Sequence, residues 1–298
     1  MRIFLALVCI VGCLLVPAAY AVGQSQGSNT GSQATGAQGA FGSALSNLDN
    51  AVNTADAEFT PQDEYYLGRA VAANILAAYR PYTANPELTR YVNRICQTIV
   101  INSPQPALFK GYYVMVLDSP EFNAFATPGG HIFLTRKLVE TATSEDMLAA
   151  VIAHELAHIM LKHSIAIINE MRFMDDMSAT AGRAANIAGQ QTNAAKQAAY
   201  FRNSVTASID TMIKNGYSQE QEFQADRMAA GLLAVSGYNP AALVEMLRVL
   251  QQMQSAQRGG FNTTHPSPAQ RISNVQGTAN QYRVQDTSAS RAARFRNK

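Results

Sequence analysis

Residues 147–160, MLAAVIAHELAHIM, constrain the fold more than any other stretch of the chain. Met147, Leu148, Val151, Ile152, Leu156, Ile159 and Met160 fall nearly all the way round a helix, and a helix that is apolar on every side is a buried one. Inside it stand His154, Glu155 and His158. A carboxylate removed from water without a partner costs several kcal/mol, and two unpaired imidazoles add to that. Whatever packs around this helix must therefore bring compensation with it. The chain holds only five histidines, so abundance does not explain two of them here.

A metal ion would compensate. Residues at i and i+4 project from one helix face, and two neutral imidazoles one turn apart can reach a single Zn²⁺ at about 2.0–2.1 Å. Glu155 projects to the side, where it can touch a water without ligating the ion. The same spacing also suits a core histidine pair bonded to backbone, so a second observation is needed. A catalytic zinc takes a third protein ligand and keeps one position open. EFQAD (222–226) supplies a candidate: Glu222 and Asp226 are again four apart, opposite an apolar face of Phe223, Met228, Leu232 and Leu233. Glu222 can ligate while Asp226 orients a ligand histidine from behind. Taken without HELAH, the polar run SQEQEFQADR reads equally well as a solvated acidic face.

HELAH, then EFQAD, then THPSPAQR (264–271), with FNAFATPGGHIFLT (122–135) ahead of them, together resemble metallopeptidase family 48. This is the gluzincin group that includes HtpX, the CAAX prenyl endopeptidases and the BepA-type proteases of the periplasm. The likeness spans about residues 60–275. It implies that His154, His158 and Glu222 ligate one zinc ion, that Glu155 is the general base, and that Asp226 and Arg271 support the site. It further implies that His265 stabilises the transition state or fills the open zinc position in a latent enzyme. Asn123, Ala124 and Phe125 would form an edge along which an extended peptide pairs. The compact exported BepA-like type, without a C-terminal repeat domain, is the nearer match. The insert at 171–215 has no apolar run long enough to cross a membrane.

The rest of the chain is read from pattern. Residues 1–21 have Arg2, an apolar run and Ala19-Tyr20-Ala21, which together form a secretory signal peptide cut after Ala21. Its rivals are an uncleaved anchor, or a lipid anchor on Cys13 of IVGC. Cleavage would leave Cys96 alone in an exported chain, as a small buried core residue without a disulfide partner. Residues 22–57, rich in Gly, Ser and Gln, read as a flexible spacer. The domain proper occupies 58–277, and 278–298 form a basic, frayed tail. Within the domain, helices open at Thr60-Pro61, Asn85-Pro86 and Ser144, the last running at least to Ile168. Further helices cover 218–237 and the stretch from Ala241. YYVMVL (112–117) and HIFLT (131–135) read as strands at a sheet edge, joined by a Pro-Gly-Gly turn. The result is an α+β domain, mostly helical, with a small sheet beside the active-site helix. His163 reads as structural and His131 as a surface residue.

The expected function is zinc-dependent cleavage of peptide bonds in unfolded or misassembled envelope proteins, as protein quality control in the periplasm. The alternative is an envelope assembly factor whose zinc site rarely cuts, and a third reading is a zinc-stabilised scaffold. Expected partners are polypeptides, including envelope or outer-membrane proteins. A net charge of +2 gives no push toward nucleic acid.

Overall fold

A computed structural model describes residues 59–170, 216–254, 265, 268–282 and 287–296. The signal segment, the spacer and the 171–215 insert lie outside the described residues. So does most of the stretch between His265 and its neighbouring helices.

The first helix, α1 (Pro61–Ala78), starts where composition places it. The Thr60 side chain accepts from Asp63 N and the Asp63 carboxylate accepts from Thr60 N, a reciprocal capping box ahead of a proline. The next, α2 (Pro86–Ile101), is capped by Asn85. Three strands follow: β1 (Tyr113–Leu117), β2 (Ala124–Thr127) and β3 (His131–Thr135). They form one mixed sheet in the order β1-β3-β2, with β1 parallel and β2 antiparallel to β3. HIFLT is thus the central strand rather than an edge. The edges are β1 and β2.

Strand alternation divides the sheet between two layers. Val114, Val116, Ala124, Ala126, Ile132 and Leu134 enter the main core with α2 and the helices below. Leu117, Phe125 and Phe133 face the other way, against Val71, Ala72 and Ile75 of α1. Helix α1 also meets the Pro128-Gly129-Gly130 turn backbone to backbone. A Cβ on Gly68 would stand 1.7 Å from the Pro128 carbonyl oxygen, and one on Gly129 would stand 2.4 Å from Tyr65 Cα. Gly129 and Gly130 also have φ of 73° and 98°, which side chains other than glycine resist.

The two edges differ. The outer edge of β1 is sealed: Asn93 of α2 both donates to Val114 O and accepts from Val114 N, at 2.6 and 2.9 Å. Gln97 donates to Tyr112 O at 2.9 Å. Beyond them Tyr82 N donates to Val116 O, and Asp118 N to Arg80 O. A side-chain amide thus replaces the missing strand, so β1 offers nothing for pairing.

After the short α3 (Arg136–Thr141) comes α4 (Glu145–Met160), capped by Ser144. Every residue of α4 from Glu145 to Ile159 is buried, as its unbroken apolar pattern requires. It does not continue to Ile168. Leu161 ends it, Lys162 takes a left-handed φ of 55°, and a new helix, α5 (described as His163–Glu170), leaves at 44°. Lys162 Nζ forms an ion pair with Glu64 Oε1 of α1 at this break, at 2.7 Å.

Two longer helices, α6 (Gln219–Val235) and α7 (Ala241–Gln254), pack against α4, and α8 (Pro268–Gln281) crosses α6 and α7. Residues 288–296 are not frayed. They form α9 (Ser288–Arg296), docked on the start of α4. Arg291 donates to Asp146 Oδ2 at 2.7 Å and to Gly237 O at 3.0 Å. Arg294 grips both oxygens of Glu145, which also takes the hydroxyls of Tyr91 and Tyr238. No single helix among the described residues is long and apolar enough to cross a membrane.

Candidate metal centre

The last turns of α4 and the first turns of α6 lie against each other and bring the two motifs together. His154 Nε2 is 3.0 Å from His158 Nε2. Glu222 Oε2 lies 3.5 Å from His154 Nε2, and Glu222 Oε1 lies 3.4 Å from His158 Nε2. His265, from a different part of the chain, joins them. Its Nδ1 is 2.8 Å from Glu222 Oε1 and 3.3 Å from His154 Nε2. One ligand atom from each of the four side chains lies within 4.8 Å of all the others, and all four residues are buried.

These spacings test the fit to a metal. Ligands at 2.0–2.1 Å in a tetrahedron stand about 3.3 Å from one another. The contacts fall on both sides of that value. The chemistry agrees: imidazole nitrogens and a carboxylate converge on one small volume, where a cation would satisfy all of them at once. Glu155 is fully buried, and neither of its oxygens accepts a hydrogen bond among the described residues. It stands outside the ligand group, with Oε1 3.6 Å from His265 Nε2.

Support for His154 comes from a charged pair. Asp226 Oδ1 lies 3.0 Å from His154 Nδ1. Arg271, 1% exposed, holds Asp226 through Nε and Nη2 at 2.8 and 2.6 Å. Its Nη1 lies 2.8 Å from Glu222 Oε2, an ion pair whose angle falls short of a hydrogen bond. A fully buried guanidinium needs such partners.

The same neighbours set the proton affinities. Burial and the Arg271 charge push the His154 pKa down, and contacts with Asp226 and Glu222 reverse both, to about 9. Burial holds His158 well below the usual imidazole value. Burial raises the Glu222 carboxyl, but the nearby His265 and Arg271 outweigh it and hold the group well below its ordinary range. Glu155 is pushed up, chiefly by burial.

Of the residues expected from sequence, His154, Glu155, His158, Glu222, Asp226, His265 and Arg271 therefore converge. Asn123, Ala124 and Phe125 lead into and begin β2, with their side chains turned inward. Ala124 is in the main core, Phe125 lies under α1, and Asn123 Oδ1 accepts from Ala124 N. The Asn123 backbone is itself bonded to Thr135, its N–H donating to Thr135 Oγ1 and its carbonyl accepting from Thr135 N, both at 3.0 Å. His131 lies away from the centre, beside Thr127 and Tyr65.

Two residues at the centre had no such sequence assignment. Tyr217 stacks on His158, with centroids 3.8 Å apart and planes 15° apart. Its hydroxyl meets Ser164 Oγ at 2.8 Å rather than pointing at the ligand group. His163 Nδ1 lies 2.9 Å from His158 Nδ1. Nothing in the residue pattern marks Tyr217. His163 reads as structural in the sequence, and its contact with His158 is not marked there.

A helix with two histidines flanking a free glutamate, a carboxylate from a second helix and a small mixed sheet alongside define a zincin-type metallopeptidase domain. The chain belongs to peptidase family M48, whose family model matches residues 84–279. It is similar to the beta-barrel assembly-enhancing protease of Escherichia coli (strain K12), 28% identical over 210 residues, covering 68% of this chain and 41% of that protein. Mitochondrial metalloendopeptidase OMA1 of Schizosaccharomyces pombe is 26% identical over 68% of this chain and 54% of its own length. Metalloprotease LoiP of Escherichia coli (strain K12) is 25% identical over 64% of this chain and 71% of its own length. The chain thus spans less than half of the first of these relatives.

Proposed function

We propose that this chain is a zinc-dependent endopeptidase of the cell envelope that hydrolyses peptide bonds in unfolded or misassembled proteins. The observation that carries this reading is the convergence of His154, His158 and Glu222 beside an unbonded, buried Glu155. The names of the relatives support the substrate class and the envelope setting. Export through residues 1–21 is part of the proposal.

His154, His158 and Glu222 would hold one zinc ion, which when bound would supply a Lewis acid to polarise the peptide carbonyl and acidify water. Glu155 takes the proton of the attacking water and returns it to the leaving amine. Its raised proton affinity suits a group that must accept and then release a proton. Asp226, gripped by Arg271, keeps the His154 ring turned toward the ion. The substrate lies extended along β2. Strand β1 is sealed, and the antiparallel pairing turns the backbone of alternate β2 residues away from β3.

One observation favours a latent form of the same enzyme. His265 stands in the ligand group, where it would fill the position that a catalytic zinc keeps open. In that resting state the chain acts as an envelope assembly factor that rarely cuts. His265→Ala then raises casein cleavage at unchanged zinc content. A collapse of activity would instead make His265 a transition-state group.

The main test measures zinc content and casein cleavage together in wild type and Glu155→Gln. Cleavage is expected to vanish while one zinc per chain stays bound. A variant that cuts at the wild-type rate, or a wild type without zinc, defeats the reading.

A further inference from the structure

The two imidazoles of α4 are backed by different chemistry. Behind His154 stands the Asp226–Arg271 ion pair. Behind His158, among the described residues, the partners of Nδ1 are neutral rather than a carboxylate. Its Nδ1 faces His163 Nδ1 at 2.9 Å, and His163 Nε2 faces Gln224 Oε1 at 3.2 Å. The Gln224 amide nitrogen in turn donates to Glu220 Oε1 at 3.3 Å, an oxygen that also takes Arg227 Nη2 at 3.1 Å.

Only one order of protons along this row leaves His158 able to bind a cation. A neutral imidazole carries a single N–H. For Nε2 of His158 to offer a lone pair, its Nδ1 must hold the proton and donate to His163 Nδ1. His163 then carries its own proton on Nε2 and needs an acceptor, which Gln224 Oε1 provides. The opposite order begins with the Gln224 NH₂ turned toward His163. It ends with an N–H on His158 aimed into the ligand group, where a cation finds no lone pair. Glu220 opposes that rotation, because a carboxylate only accepts and so holds the NH₂ on its own side.

The break after α4 is what lets His163 take part. On an uninterrupted helix, residues five apart point about 140° away from each other. The left-handed Lys162 and the 44° bend swing His163 back under His158. Tyr217, stacked on the opposing imidazole face, fixes the plane in which the His158 N–H must point.

We infer that His163 and Gln224 are positioning residues that fix His158 in the Nδ1–H tautomer. Gln224 sets the proton order, and Glu220 sets the orientation of Gln224. This rests on the zinc reading of the site.

The experiment uses the full chain. Zinc affinity is measured by competition with a chromophoric chelator, and imidazole tautomers by ¹⁵N NMR of the zinc-loaded protein. Gln224 is exposed, so its variants leave the fold intact. Gln224→Met removes the acceptor and is expected to weaken zinc binding about 10- to 100-fold, the usual cost of losing a partner behind a ligand histidine. Gln224→Glu keeps an acceptor and restores wild-type affinity. His163→Phe loses at least as much as Gln224→Met. If it fails to fold, the two Gln224 variants decide alone. Equal affinity in Gln224→Met, Gln224→Glu and wild type overturns the inference, as does a wild-type spectrum with the His163 proton on Nδ1. A wild type that binds no zinc would instead defeat the functional reading itself.

Discussion

The two ends of helix α4 both bury charge, and they treat it in opposite ways. At the start, Glu145 receives two tyrosine hydroxyls and a forked Arg294, while Asp146 receives Arg291 and the Asn239 backbone N–H. Each carboxylate is matched by groups of this chain. Three turns later, imidazole nitrogens face each other and Glu155 accepts nothing among the described residues. Complete pairing fixes a helix in place. Incomplete pairing, in the same helix, leaves groups that the proposed ion and its water would complete.

If that contrast is right, function and stability separate along the helix. The largest effect expected is on Glu155→Gln, which lowers proteolysis about 10²- to 10⁴-fold. Its melting temperature should hold or rise, because an unbonded buried carboxylate has been neutralised. A melting temperature that falls as far as that of a variant at the other end would break the comparison. There, Arg291→Leu leaves Asp146 buried without its guanidinium and is expected to cost about 3–5 kcal/mol in denaturant unfolding. Cleavage per folded molecule should stay at the wild-type level. Stripping the metal with a chelator comes next. An ion present at a hundred times its dissociation constant contributes about 2.7 kcal/mol, and its removal should lower the midpoint accordingly. The smallest effect is on Asp146→Leu combined with Arg291→Leu. The double variant recovers most of the single loss, and what remains is the Asn239 N–H without an acceptor, about 1–3 kcal/mol. A double variant as unstable as Arg291→Leu would show that packing of α9, not charge pairing, holds the helix start.

Much of this was legible because it is local. Thr60-Pro61, Asn85-Pro86 and Ser144 announce helix starts through caps that need only three or four residues. HELAH and EFQAD carry their own geometry, since side chains four apart share a helix face. What the pattern hid depends on direction or on distance. The reversal of His163 comes from a single left-handed residue, Lys162, in a stretch that is otherwise helical in period. The order β1-β3-β2 reflects a choice of neighbours that alternation alone does not encode. Helix α9 looked like a loose basic end because the partners of Arg291 and Arg294 sit at Asp146 and Glu145, far from any local window.

That last pairing has a consequence in time. Glu145 and Asp146 open the helix that carries His154 and His158, yet their guanidinium partners are separated from them by 149 and 145 residues of chain. A nascent chain that has emerged only as far as α8 must either hold two carboxylates in the core without those cations or leave the head of α4 undocked. The second is cheaper, since loop closure grows costlier only slowly with length while an unmatched buried charge costs several kcal/mol at once. Helix α4 therefore settles late in folding, after α9 has emerged. The His154, His158 and Glu222 cluster is then brought together only after α9 has docked.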